Sequence, residues 1–254
     1  DSLIILVKQK KQHMKLTQLV TTVGAVLALA SSAIAGAVIA PTPQLEETYA
    51  TDLITGDLSV GYDSSYIFRG VTQGEDAIWS GVDLTAPLIS NININAGAWY
   101  VNSTRHGGDE LDLYVNLGTS LGPVDIGVGY VRYFYPTSDA EQSGEIVAAL
   151  GTSLGLFDLG VLYAYDHDLE THYFEGQAGI EVALNNTIAA DVDVAVGFNE
   201  DVYSYTSLRL ALPVTLTDTV TFTPYVAGII RDGSVHPGED EEEVIGGASL
   251  SVSF

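Results

Sequence analysis

Carboxylates supply most of the chemistry open to this chain of 254 residues. It carries 33 Asp and Glu against nine Lys and Arg, with five His and no Cys. Without Cys there are no thiolate nucleophiles, thiolate metal sites or disulfide staples. A formal net charge of −24 excludes nucleic acid as a partner, because no basic patch exists to displace counterions from phosphates. An enzyme needs a nucleophile or acid–base pair held beside an orienting group. No H-E-x-x-H occurs, and His106, His167, His172 and His236 all fall in polar, loop-like segments where nothing fixes their geometry. The expectation is therefore no enzyme and no cofactor.

What must position the carboxylates is a set of strands. Along Asn91–Tyr100, residues Ile92, Ile94, Ala96, Ala98 and Tyr100 share one face, with Asn93, Asn95 and Gly97 on the other. From Thr187 to Phe198, Ile188, Ala190, Val192, Val194, Val196 and Phe198 oppose Asp191, Asp193 and Gly197. The final stretch, Val244 to Phe254, alternates in the same way. Twelve such runs begin near residues 60, 77, 92, 110, 124, 144, 157, 172, 187, 203, 219 and 243. Counts of ten or fourteen stay open, because Tyr133–Ser143 is ambiguous. Short connections (Ala86–Asn91, Thr119–Pro123, Thr152–Gly155, Leu184–Asn186, Pro213–Asp218) alternate with longer polar ones (Val71–Asp76, Asn102–Glu110, Tyr135–Ser143, Asp166–His172, Asn199–Val202, Arg231–Glu243). Short turns at one end and longer loops at the other are the pattern of a membrane barrel.

Period 2 alone does not say which face is outside. Three features place the apolar face outward. The polar face holds Gly, Asn, Ser and Asp but no Lys, the residue soluble sheets put on exposed edges. Aromatics gather beside the longer loops, at Tyr66, Phe68, Tyr100, Tyr130, Tyr133, Tyr135, Tyr163, Tyr165, Tyr173, Phe174, Phe198, Tyr203 and Tyr205, as a girdle at a membrane interface would. The chain also ends in Phe254 after alternating apolar residues, which resembles the C-terminal signal read by the barrel-assembly machinery. The expected fold is thus all-β: a transmembrane antiparallel up-and-down β-barrel of about 12 strands.

The N-terminal stretch reads as export. Met14-Lys-Leu16, an apolar Ala-rich run over Leu19–Ala30 and Ser31-Ser-Ala-Ile-Ala35 form a secretory signal peptide cut after Ala35, with residues 1–13 lying upstream of the start. Removing residues 1–35 leaves no Lys, five Arg, 32 acids and a net charge of −27. Residues 36–57 fit no strand pattern and are expected as a periplasmic tail, with the barrel over 58–254.

One hairpin carries a family resemblance. Val60-Gly-Tyr-Asp-Ser-Ser-Tyr-Ile-Phe-Arg-Gly-Val-Thr-Gln73, followed by Ala77-Ile-Trp-Ser-Gly-Val-Asp83, resembles the first hairpin of the TorF-like family of porins, including its Tyr-x-Phe-Arg-Gly stretch. The resemblance implies a porin-like barrel of the Gram-negative outer membrane and no particular solute.

Parity then sets the expected lumen. Asp63, Asp83, Asp112, Glu175, Glu181, Asp191 and Asp193 face inward with Arg69 and Arg209, and so do Asp125 and Asp158, which also stand where they could cap turns. A carboxylate-rich lumen concentrates cations. The expected function is a channel for passive diffusion of small solutes or ions, favouring cations. The alternative is a non-conducting structural or adhesive barrel, because side chains could fill a lumen this narrow. Arg69 is expected as a strut to a carboxylate rather than a ligand clamp. His167, Asp168 and His172, in Asp166–His172, and Glu241, in the acidic run Glu239–Glu243, are weak metal candidates with oxygen donors suited to Ca²⁺ or Mg²⁺. Expected partners are outer-membrane lipid and lipopolysaccharide, the assembly machinery through Phe254, and small cations.

Overall fold

The computed structural model describes residues 54–89, 91–138 and 140–254. The expected signal peptide and residues 36–53 of the expected tail lie outside the described residues. The first half comprises β1 (Thr55–Phe68), β2 (Val71–Ile89), β3 (Ile92–Arg105), β4 (Asp109–Leu121), β5 (Val124–Phe134) and β6 (Ser143–Leu154). The second comprises β7 (Phe157–Asp166), β8 (Thr171–Ala183), β9 (Ala189–Asn199), β10 (Val202–Ala211), β11 (Val214–Thr217), β12 (Val220–Arg231) and β13 (Glu242–Ser253). No helix occurs among the described residues. β1 starts three residues before the expected boundary at 58.

All pairings are antiparallel, and consecutive strands from β1 to β10 are neighbours. β1 also pairs with β13, β13 with β12, and β12 with β10, which closes a barrel of twelve strands. β11 is the lower part of the tenth wall strand rather than a thirteenth. Leu212 and Pro213 interrupt that strand, since Pro has no ladder donor, and Val214 and Thr215 resume pairing with Phe222 and Thr221. The expected turn at Pro213–Asp218 is therefore mostly strand. The seam is tied at its end by reciprocal backbone hydrogen bonds of 2.9 Å between Gly56 and Phe254.

Alternation along each strand sorts the side chains. Leu58, Val60, Leu113, Val115, Val194 and Leu250 are exposed on the outer surface, an apolar belt with no protein covering it. Tyr62 and Tyr163, with half-buried Tyr100, Tyr130 and Tyr203, stand among the outward aromatics near the loop end. Inward positions hold buried polar and aromatic groups such as Asp63, Trp79, Asp112, Tyr133 and Glu175.

Four of the inward aromatics fit because a glycine faces each across the ladder. Gly61 pairs with Trp79, Gly97 with Tyr114, Gly197 with Tyr205 and Gly247 with Tyr225. A Cβ on any of these glycines would collide with the ring lying over it. Small–large pairing of this kind lets a narrow barrel fill its interior.

Turn chemistry explains the tight tips. Arg69 and Gly70 both have positive φ, as do Glu200 and Asp201, the requirement of a two-residue hairpin turn matched to strand twist. Val71–Asp76, expected as a polar loop, is instead the first part of β2, because the Arg69–Gly70 turn reverses the chain directly. The longer connections at this end are 135–142 and 232–241.

Candidate functional site

The loop end of the barrel interior is closed by the tip of the β1–β2 hairpin. The register shifts between Tyr66 and Ile67, with Gln73 left over on β2, and this bulge sits at the base of the tip. Beyond it Ile67 is fully buried. Arg69 reaches Glu145 on β6 in a two-pronged ion pair of 2.5 and 2.7 Å. Its guanidinium lies between the rings of Phe68 and Tyr173, at 4.6 and 4.1 Å from their centroids. Tyr133 donates to the same Glu145 carboxylate at 2.9 Å.

A second bulge receives the tip. Between Tyr203 and Tyr205 the β9–β10 register shifts, leaving Ser204 as the extra residue and fully buried. Its hydroxyl donates to the carbonyl of Arg69 at 3.3 Å and meets His236 Nε2 at 2.6 Å. Arg231 Nε donates to the carbonyl of Gly70, and its Nη2 reaches Thr72 Oγ1 at 3.0 Å and Glu243 at 2.6 Å. Both carbonyls of a turn that would otherwise be solvated thus find partners on β10 and β12. Below the tip, Tyr173 and Tyr205 both donate to Glu175, and Tyr66 donates to Glu110 at 3.1 Å.

The short-turn half is more open and acidic. Tyr114 donates to Asp83 at 2.7 Å. Glu181 and Asp191 face one another across β8 and β9. Arg209 contacts Asp193 at 3.3 Å and lies 4.9 Å from the ring of Tyr225, whose hydroxyl donates to Asp63 at 2.7 Å. Asp125 and Asp158 accept from Ser120 and Ser153 across their turns, each at 2.5 Å.

The structure places the residues expected to face inward at different depths. Asp63, Asp112 and Glu175 are buried with Arg69 in the packed interior, while Asp83, Glu181 and Asp193 are only half-buried. Asp112 is 0% exposed, and neither of its carboxylate oxygens has a hydrogen-bond partner. Asp191 is the third residue of β9 and Asp193 the fifth of its eleven. Sequence reasoning missed Glu110, Glu145, Asp166 and Arg231, all buried. Strand parity would have found Glu110 and Glu145 on runs already drawn, and Asp166 and Arg231 once β7 and β12 were extended to their true ends.

Two further expectations are corrected. Of the aromatics assigned to a girdle, Tyr66, Tyr133, Tyr173 and Tyr205 are buried inside the barrel and Phe68 packs among them. Their parity is inward, and the bulges turn Tyr66 with them. Of the weak metal candidates only His167 and Asp168 meet, at 3.3 Å. His167 stacks on Tyr130, Asp168 pairs with Arg132, and His172 bonds Tyr163 at 2.6 Å, while Glu241 lies in the other long loop. Among the described residues no group of three or more His, Asp or Glu is arranged to hold a metal ion.

The letters G-x-S-x-G occur twice, at Gly118–Gly122 and Gly151–Gly155. Ser120 and Ser153 there sit at hairpin ends bonded to Asp125 and Asp158, not on the strand-to-helix elbow that nucleophile chemistry needs.

No curated protein matches the chain. A family model described as a bacterial protein of unknown function, Gcw_chp, matches residues 49–231. Among solved structures, the KdgM porin superposes with a TM-score of 0.50 at 6% identity, covering 78% of this chain and 99% of its own. The NanC porin gives 0.49 at 15% identity, covering 78% and 98%. An outer membrane channel from Pseudomonas putida F1 gives 0.48 at 11%, covering 82% and 97%. At such identities the likeness to the KdgM porin shows the barrel fold alone.

Proposed function

This chain belongs to the Gcw_chp family of bacterial proteins, and we propose that it is a porin-like channel of the Gram-negative outer membrane, selective for small cations and held shut at its loop end in this structure. The carrying observation is the division of the interior. The short-turn half presents Asp57, Asp83, Asp158, Glu181, Asp191 and Asp193 inward, against Arg209 as its inward cation among the described residues. A wall of one sign, in a barrel whose low-dielectric surroundings focus the field, concentrates cations and repels anions. The apolar outer belt and the outward Tyr residues near the loop end support a lipid-embedded location. The first hairpin's resemblance to the TorF-like porins supports the same reading.

A second reading is a non-conducting structural or adhesive barrel. It is favoured by the packed loop end, where the Arg69–Glu145 pair and four buried Tyr side chains span the interior. Planar-bilayer recording on purified protein under a KCl gradient separates the two. Stepwise currents with a cation-selective reversal potential support the channel, and their reproducible absence at every pH supports the closed barrel. Mature protein recovered soluble from the periplasm without detergent sinks both.

A further inference from the structure

His236 is a buried histidine that the channel reading does not use. It belongs to the 232–241 connection, yet is only 5% exposed. The loop is folded to put it there. Asp232 accepts from the Ser234 backbone N–H at 2.8 Å and from its hydroxyl at 2.5 Å, and the Asp232 carbonyl accepts from Val235 and His236 at 3.0 Å. These bonds turn the chain back over the barrel mouth. The His236 ring then bonds Ser204 at 2.6 Å and lies against Gly70, where an added Cβ would come within 3.0 Å of Nε2. One side chain thus touches both the bulge that receives the hairpin tip and the tip itself. Arg231, at the root of the same loop, grips the Gly70 carbonyl and Thr72.

We propose that the 232–241 loop and the tip of the β1–β2 hairpin form a latch over the barrel's loop end, and that protonation of His236 releases it. The charged groups facing His236 are Arg231 from β12 and Asp232 and Glu239 from its own loop; β10 offers the Ser204 hydroxyl and the hairpin only backbone. Burial, and then the Arg231 charge, hold the imidazole below the usual histidine range, more strongly than Glu239 and Asp232 raise it. Such a group binds its proton more tightly once the latch opens. The latched form is therefore at full strength above the ordinary histidine pKa of about 6.5 and weakens as pH falls below it. Asp232 does not share this window. Its bonds to Ser234 hold its carboxyl below the usual range, so the loop turn itself survives to more acid pH.

The latch rests on the channel reading only for what would pass once it opens. Its test uses the absence of native Cys. Ile67→Cys places the molecule's only thiol on the buried tip, where its reaction with a small charged thiol reagent reports release without requiring conduction. In full-length protein in vesicles, labelling is scored against that of an exposed Leu169→Cys variant at the same pH, because loss of thiolate slows every thiol in acid; this ratio at pH 5 is expected to exceed that at pH 7.5 by about fivefold or more, the lower edge of ordinary coupling between two sites. Adding His236→Gln, which keeps a neutral hydrogen-bonding group at Ser204, should leave labelling slow at both pH values. Heat-modifiable migration on gels checks that each variant is a folded barrel, and Val147→Cys, also buried on the inward face of β6, serves as a second reporter should Ile67→Cys misfold. Labelling indifferent to pH, or rising equally in the Gln variant, overturns the latch. Acid-dependent labelling without current at either pH leaves the latch standing and sinks the channel; current with pH-indifferent labelling does the reverse.

Discussion

At the scale of single residues, the Arg69–Glu145 pair is the contact most sensitive to change. Both side chains are largely out of water and the pair is two-pronged. Removing one partner strands the other as a buried, uncompensated charge. Glu145→Gln is expected to lower stability by about 3–5 kcal/mol, whereas replacing both by apolar residues of similar volume should be far milder. Denaturant titration followed by the fluorescence of Trp79 and Trp99, the chain's two Trp residues, reads the difference. In the short-turn half the chemistry is charge rather than packing. Asp191→Asn should reduce the preference for cations, seen as a smaller reversal potential in a salt gradient. Asp193→Asn should reduce it further, because it also frees Arg209 from the partner 3.3 Å away. Equal selectivity in wild type and both variants would remove the mechanism proposed for the lumen.

At the scale of elements, each strand has one face that tolerates charge and one that does not. Val192, between the inward Asp191 and Asp193, and Val194 just beyond them lie outward on β9. Val192→Arg should cost up to about 2–4 kcal/mol, the range for a cation at the lipid midplane, and less toward the interface. Its measure is the fraction of chain recovered as heat-modifiable barrel. The inverse outcome, a silent Val192→Arg beside Asn substitutions that abolish folding, would mean that β9 is turned inside out. The glycines under the inward rings give an independent check. Gly61→Val must push Trp79 off β1, an overpacking expected to cost about 1–3 kcal/mol. Thermal melts should show it, with little change in insertion, since the outer face of both strands is untouched.

At the scale of the whole molecule, the barrel is closed where its two ends meet. β1 pairs with β13, and the Phe254 ring lies over Gly56, which has no Cβ to displace it. The ring itself remains 61% exposed, so little stability depends on it. Phe254→Ala should therefore change the melting of assembled barrel by no more than about 0.5 kcal/mol, as surface substitutions do, while sharply lowering the yield assembled in cells. Comparing membrane-fraction yield with the melt of the purified product separates recognition during assembly from stability afterwards. A parallel fall in both would tie Phe254 to the seam instead.

Much of this architecture is legible in the chain because alternation is local. A residue's face depends on its neighbours two positions away, so the inward placement of Asp63, Asp83, Asp112 and Asp193 needs no knowledge of the closed barrel. The twelve wall strands, and the apolar belt outside them, follow from the same period. Depth and partnership are different. Arg69 and Glu145 are separated by 76 positions, and nothing local tells Arg69 which carboxylate it will meet. The aromatics beside the loops look alike in sequence, yet Tyr130 and Tyr163 face outward while Tyr133, Tyr173 and Tyr205 fill the interior, a distinction of one residue in register. The two bulges decide the most and show the least. One extra residue, Gln73 on β2 and Ser204 on β10, brings the hairpin tip and its receptor together, and only closure of the sheet through the β1–β13 pairing sets those two strands around one space. Sequence alone determined the wall and which way its side chains point, because period 2 is a property of a single strand. Whether the space inside is open or filled was decided by tertiary structure, because it depends on which distant residues the closed ladder sets face to face.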